Sequence, residues 1–544
     1  HVAAVAMTVM LLAIMSEASF GPPSAFVLGA HLALLTVAGW RFPSFTPLIF
    51  ASTALIAASM IAWPLALAPF DPAAPDFGSD YDRFMGTATP YLWVFGALGT
   101  AGAVAGFLAI PGSARAGLWA AFSGSLPLIL LAVGYARITE LQSDWRWGMA
   151  ALGVAVLALA AADRMIRIDR RSALAAFAVV APAAVALAFA FTLREAWLSA
   201  ALAALVPILA AVYDRERLPA LRAVALVVAG IVLARLTLNW WVLGYAIGPT
   251  PVFNWILYGY GVPILCFWYG ARLFARAQRD LLVDVLEGGA FALFVYFTTL
   301  EIRHWVGGGI LDANYGLFEA SLQTLNWLTV SFVAYLRAPQ HQRPVLIGLQ
   351  RILFALAATH LGFVHLVGLN PLFENLSVGA WPIFNTLFVA YGLPAALLAA
   401  FAFVAARRGE QSLAQFCGVS ALMLGFFYVS VEVRHAFQGP RLAAGRVGDA
   451  ELYAYSATWL VYCAALIAAG FRWQMKNLRL AGLIFLMLII GKVFLIDMSE
   501  LRGLYRVISF FGLGLALVGL GYVYRRFFAG QADRAAPPPG RASA

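Results

Sequence analysis

Two tetrapeptides carry most of the chemistry in this sequence, Glu301-Ile302-Arg303-His304 and Glu432-Val433-Arg434-His435. On a helix a Glu and a His three residues apart share one face, while the Arg between them points elsewhere. A carboxylate beside an imidazole can act as a general acid–base pair. With one further carboxylate from each following helix, Glu319 and Glu451, the set also has the donor types of a di-metal site in a four-helix core. The helix order and the interposed arginines oppose that use. Glu301, His304, Glu432 and His435 are therefore read as candidate catalytic groups, with no metal and no cofactor. Arg303, Arg434, Asn254, Asn385 and Trp305 are read as substrate-binding. The competing reading of the same residues is an ion-pair network that ties helices together.

Both tetrapeptides sit at equal places in an internal repeat with an offset of 131 residues. Asn254 pairs with Asn385, Tyr260-Gly261 with Tyr391-Gly392, Pro263 with Pro394, Arg276 with Arg407, and Glu301 with Glu432. From 239 to 304, 17 of 66 positions are identical. Apolar helices match by chance, but chance does not hold Asn, Pro, Glu, Arg and His in register. The repeat unit is four helices, 221–347 and 348–475. Four is an even number, so both copies enter a membrane in the same orientation. A weaker copy is read at 47–162. Pro263 and Pro394 fall inside helices, where a proline frees the carbonyl four residues before it. The two tetrapeptides are expected to face one shared outer cavity, with Asn254, Asn385 and the opposite copy as their partners.

The frame around the repeat is set by composition. The chain has 544 residues, 63% hydrophobic and only 11% charged, against about a quarter charged in soluble proteins. Apolar runs of span length recur along it, which excludes a soluble enzyme, a disordered chain and a β-barrel. The fold class is all-α and polytopic, with eighteen expected transmembrane helices: 2–15, 25–40, 47–69, 90–110, 117–136, 148–162, 173–192, 197–213, 221–238, 252–272, 285–304, 316–336, 348–368, 382–405, 414–435, 451–471, 478–496 and 504–524. Residues 1–220 form an N-terminal set, 476–530 a C-terminal pair, and 531–544 a disordered cytoplasmic tail.

Net charge is +10, and of 36 basic residues only Lys476 and Lys492 are lysines. The arginines concentrate in alternate loops, such as Arg164, Arg167, Arg170 and Arg171, while Asp and Glu concentrate in the others. By the positive-inside rule the Arg-rich loops and both chain ends are cytoplasmic. The charge is thus an anchor and not a nucleic-acid surface. Arg441 and Arg446 break the alternation. Cys266, Cys417 and Cys463 lie in apolar runs and suggest no disulfide or metal spacing. His360 and His365 lie five apart on one expected helix and are read as core or interfacial residues, with a haem pair as the lesser alternative, since that spacing does not align them on an α-helix. Lys492 has Asp497 as its expected carboxylate partner. The chain opens on His1, without an initiator Met, and reads as truncated or processed.

The segment Gly491-Lys492-Val493-Phe494-Leu495-Ile496-Asp497-Met498-Ser499-Glu500-Leu501, then Leu504-Tyr505-Arg506-Val507-Ile508-Ser509-Phe510, resembles the end of large bacterial inner-membrane proteins catalogued as domain of unknown function 2339. The resemblance is strongest over 490–526 and implies location and class, not chemistry. The acidic first outer loop, with Asp71, Asp76, Asp80 and Asp82, is similar in position to that of multi-pass polyprenyl-dependent glycosyltransferases. Three functional classes stay open. The favoured one handles a lipid-linked or cell-envelope glycan substrate from the periplasmic side. The others are a transporter or flippase, and a membrane scaffold for other envelope proteins. Membrane lipids are partners in all three.

Overall fold

The structure is a computed structural model. It describes residues 2–17, 22–66, 76–308 apart from 246 and 249, 315–337 and 344–493, with isolated positions between 511 and 522. The expected span 504–524, the tail 531–544, Asp71 and most of the segment 490–526 lie outside the described residues.

Among the described residues there are seventeen α-helices, and the one β-type pairing is an isolated bridge between Ser377 and Arg441. Each of the first seventeen expected spans falls on one of these helices. Thirteen are long and apolar enough to cross a membrane, three of them (Pro43–Ala62, Pro344–Gly368 and Phe388–Arg407) only together with an adjoining 3-10 or π turn. The other four fall short for visible reasons. Val2–Glu17 and Lys476–Lys492 have 16 and 17 residues. Trp255–Ala275 is diluted by Trp, Tyr and Gly, and Leu317–Arg337 by Glu319, Gln323 and Asn326. One expectation is corrected outright. The acidic stretch 70–89 reads as a loop, yet a single helix runs Phe77–Ala109, so Asp80 and Asp82 sit exposed in its first turns. Pro90 does not break it.

Local chemistry explains several helix starts. Asp144, Asn254 and Asp280 each accept a backbone N–H from the first turn of the helix that follows them, a cap that satisfies a donor the helix itself leaves open. Pro219 occupies the first helical position, where its missing N–H costs nothing.

The chain forms two compact units, residues 1–313 with 339–349, and residues 314–338 with 350–544. In the first unit the helices Trp145–Arg167 and Arg171–Thr192 meet along the buried alanines 151, 155, 158 and 161, which let the backbones approach, while Val156, Leu157 and Leu159 face outward. Two large apolar clusters lie in this unit, one around Trp119, Phe122 and Tyr91, the other around Tyr260, Phe267 and Phe274, with a smaller one around Tyr135 and Phe191. The second unit is centred on Tyr391, Leu398, Phe401 and Cys417. Cys417 and Cys463 are buried and Cys266 half-buried, all as thiols.

One ion pair closes an end of the first unit. Arg222 is buried beneath the start of Pro219–Thr237. Its Nε and Nη2 donate to the two oxygens of Asp280 at 2.9 and 2.5 Å, and its remaining donors reach the carbonyls of Phe274 and Gln278. Tyr213 and Phe274 flank the guanidinium. Three helices are thereby joined by one bidentate contact. Burial works against the charged Asp280. The hydrogen bonds from Arg222, Gln278 and the Val283 N–H outweigh it, and the carboxyl is held below the usual carboxylate range.

A carboxyl with a lowered folded-state pKa adds stability that is complete above its unfolded pKa and is lost as the pH falls through the lowered value. Asp280→Asn should therefore cost about 3 kcal/mol, the low end for a broken buried pair because the aspartate stays partly exposed. Melting of the detergent-solubilised protein checks it. The gap between wild type and variant should be widest at neutral pH and should narrow as the acid limb is entered. An equal melting temperature at neutral pH would show that Arg222 does not depend on this partner.

Candidate functional site

The helix Leu281–Gly307 carries the first tetrapeptide near its end. Glu301 and His304 share a buried face, Arg303 is half-buried and Trp305 is exposed. The Glu301 carboxylate does not stand alone. It accepts the Val252 N–H at 3.0 Å through Oε2 and the Asn254 side-chain amide at 3.0 Å through Oε1. The same Asn254 caps Trp255–Ala275, its Oδ1 accepting the Ile256 N–H at 2.7 Å. Its amide nitrogen also lies 3.4 Å from His304 Nδ1. One asparagine thus joins a helix start, a carboxylate and an imidazole.

The second tetrapeptide ends the helix Gln411–Gln438 and has the same construction. Glu432 accepts the Ile383 N–H at 3.2 Å and the Asn385 amide at 2.8 Å. Asn385 Oδ1 accepts the Leu387 N–H at 2.8 Å. His435 is buried, with Nε2 2.8 Å from the Gly379 carbonyl, which makes Nε2 the protonated nitrogen and turns Nδ1 toward Glu432 at 3.9 Å.

Each carboxylate reaches the same kind of backbone. Val252 and Ile383 both have φ of +68°. A β-branched residue in the left-handed region is strained, because its Cβ crowds the following carbonyl. In both places the strained N–H is the one that donates to the glutamate. The bond holds the turn in a conformation its side chain disfavours.

Arg434 differs from its sequence neighbours in what it meets. It is buried, with Nη1 donating to both oxygens of Glu451 at 2.9 and 3.1 Å and Nε to the Leu442 carbonyl at 2.9 Å. Its Nη2 donates to the Gly445 carbonyl. Gln438 and Tyr455 also donate to Glu451. The pair is a closed buried network of the kind that needs every hydrogen bond satisfied. Glu451 is thus committed to a cation. Among the described residues no group of three or more His, Cys, Asp or Glu is placed to hold a metal ion.

A second polar group, in the second unit, brings together His360 and His365, which the sequence reading keeps apart. His360 ends the helix Pro344–His360, and the backbone then widens into a π-helix from Leu361 to Gly368. In that form hydrogen bonds run five residues back, as from the Leu369 N–H to the Val364 carbonyl, so positions five apart come onto one face. The rings of His360 and His365 stand 5.5 Å apart, and both contact the Thr324 hydroxyl, at 2.7 and 3.0 Å. The sequence signal that could have found them is Pro394. It has no N–H for the Ala390 carbonyl, and His365 Nδ1 takes that carbonyl at 3.2 Å. Asp497, the expected partner of Lys492, lies outside the described residues. Lys492 donates to the Leu452 carbonyl at 2.7 Å and to Ser456 at 2.6 Å.

Val252→Gly and Ile383→Gly should each raise the unfolding midpoint, because glycine removes about 1–2 kcal/mol of left-handed strain and both side chains are largely exposed. A fall in stability would show that the turns are not left-handed. Glu451→Gln should cost about 3–5 kcal/mol by leaving Arg434 buried without its anion. The double change Arg434→Leu with Glu451→Leu should recover most of that in the same melting assay, and a failure to recover would show that the hydrogen bonds matter more than the charges.

No curated protein and no solved structure matches this chain. One family profile matches residues 16–527, nearly the whole length, and its description is Predicted membrane protein (DUF2339). With its run of apolar helices, the chain is an integral multi-pass membrane protein and belongs to that family.

Proposed function

We propose that this is a bacterial inner-membrane protein that handles a lipid-linked or cell-envelope glycan substrate at its outer, periplasmic face. Glu301, His304, Glu432 and His435 are its working groups. Asn254 and Asn385 orient the carboxylates, Arg303 and Trp305 border the substrate path, and Arg434, held by Glu451, braces the helix end that carries His435. The proposal includes eighteen spans, two same-orientation four-helix repeats over 221–347 and 348–475, and both chain ends in the cytoplasm. The match of contacts supports the repeat: each glutamate meets the asparagine 47 residues earlier and the residue 49 earlier, in both copies. The alternation of Arg-rich and acidic loops supports the orientation.

The observation that carries the functional reading is this doubled lock and what surrounds it. A strained backbone kept at equivalent places in two copies is the kind of cost that clusters at binding sites. Exposed aromatic rings lie on the chain segments that carry each copy, Trp240, Trp241 and Trp305 in the first, Trp381 and Phe384 in the second. Such rings settle at the level of lipid headgroups and offer flat apolar faces with a polar edge. A carboxylate and an imidazole on segments that also carry exposed aromatic rings suit an amphipathic substrate with hydroxyl or phosphate groups. Lipids and other envelope proteins are further partners in this reading.

Native mass spectrometry of the protein released from nanodiscs of bacterial lipid tests it. The expected result is a retained polyprenyl-linked or glycolipid species that is lost in Glu301→Gln and Glu432→Gln while their melting temperatures hold. Retention of ordinary phospholipids alone, unchanged in both variants, would refute the reading.

A further inference from the structure

We propose that Tyr315, Thr324, His360 and His365 form a proton relay in the second unit, taking a proton from the exposed end at Tyr315 to a buried acceptor, His365. The proposal does not depend on the function assigned to the glutamate motifs. It rests on four contacts in series. The Tyr315 hydroxyl is 2.9 Å from His360 Nε2, and His360 Nδ1 is 2.7 Å from Thr324 Oγ1. Thr324 Oγ1 is 3.0 Å from His365 Nε2, and His365 Nδ1 is 3.2 Å from the Ala390 carbonyl. Tyr315 is 42% exposed and His365 is fully buried.

The last contact sets the His365 tautomer from which the relay starts. A carbonyl only accepts, so His365 carries its proton on Nδ1, and its Nε2 is an acceptor when the ring is neutral. Thr324 has one proton and two acceptors, the Ala320 carbonyl at 3.1 Å and His365 Nε2, and the relay uses the arrangement in which it donates to His365. In that arrangement its oxygen accepts from His360, which places the His360 proton on Nδ1 as well. His360 Nε2 is left to accept from Tyr315. In this arrangement every donor meets an acceptor, and the chain runs one way from the exposed phenol to the buried imidazole.

A proton entering from water passes by successive transfers. Tyr315 gives its hydroxyl proton to His360 Nε2 and regains one from water. His360 releases its Nδ1 proton to Thr324 Oγ1, and Thr324 releases its own to His365 Nε2. One proton has entered and one now resides on the His365 imidazolium. His360 is neutral again with its proton on Nε2, and no bond between heavy atoms has changed. The end state is accommodated by the same atoms. His365 Nε2–H then donates to Thr324 Oγ1, and the threonine hydroxyl turns to His360 Nδ1 or to the Ala320 carbonyl, 3.1 Å away. Thr324 also lines a cavity of about 380 Å³ with Leu361, Gly362, Ser420 and Phe427, so there is room beside it.

The titratable groups around His365 are few. His360 is on its own span. Tyr391 stands on the facing segment with its ring 6.2 Å away and its hydroxyl donating to the His365 carbonyl at 2.9 Å. Tyr315 precedes the Leu317–Arg337 helix that supplies Thr324, and Glu319, buried, lies on that helix just over a turn before the threonine. From the Gln411–Gln438 helix, Phe427 packs on Tyr391.

Nitrogen-15 spectra of histidine-labelled protein in nanodiscs, taken across pH, test the relay. The chain has seven histidines, and His360→Gln and His365→Gln assign the two signals. At the alkaline end both rings should carry the proton on Nδ1. On acidification His365 should become imidazolium while His360 shifts to the Nε2 form in the same step. Thr324→Val should abolish this joint change, and Thr324→Ser should restore it. A neutral His365 protonated on Nε2, or a joint change that survives Thr324→Val, overturns the proposal. The wild-type tautomers decide it even if the valine variant does not fold.

Discussion

Hydrocarbon offers no hydrogen bonds, and this constraint organises the polar interior of the molecule. A donor or acceptor left open among lipid tails costs several kcal/mol. Most charged and strongly polar side chains inside the spans are therefore met by protein. The chain solves this mostly with backbone groups. Glu301 and Glu432 take N–H groups of a strained turn, His435 gives to a carbonyl, and Arg434 divides its donors between Glu451 and two carbonyls. Wherever the helix opens, at a cap, a proline or a π turn, it exposes the groups that these side chains need as partners.

Much of this is legible in the sequence itself. Span positions follow from apolar length alone, because helix is the form that satisfies its own backbone in a membrane. The join between Asn254 and Glu301 follows from their repeated placement, since an asparagine at a helix start and a carboxylate at a helix end come to one depth. The start of the Phe77–Ala109 helix escapes such reasoning because Asp80 and Asp82 look like loop residues, yet acidic groups are favourable in a first helical turn. The tie between Arg222 and Asp280 escapes it for another reason. Their 58-residue separation carries no period, and only the packing of three helices brings them together.

The histidine pair shows the sharpest limit of sequence reasoning. Spacing arguments assume a helical pitch, and a five-residue spacing fails the α-helical test. The backbone changes pitch right after His360 and so passes a different test. A second π turn, Phe388–Gly392, lies just before Pro394. π turns are uncommon and costly, and they are often retained where a side chain has work to do. Here the consequence of the wider turn is concrete. It aligns two imidazoles on one hydroxyl, and the proline on the neighbouring segment leaves a carbonyl for the second ring.

Two kinds of polar design thus coexist in the second unit, and the difference between them is physical. The Arg434–Glu451 network is fully charged, saturated with partners and fixed, since any rearrangement would strand an ion. The His360–Thr324–His365 chain is neutral at rest, and its central hydroxyl has three partners within 3.1 Å while it can donate to only one at a time. A saturated ion pair has one low-energy arrangement. A neutral chain with a spare acceptor has at least two that differ by the position of a proton and the turn of one hydroxyl. Rigidity in the first case and exchange in the second follow from the same rule, that each polar atom in hydrocarbon must keep a partner in every state it occupies.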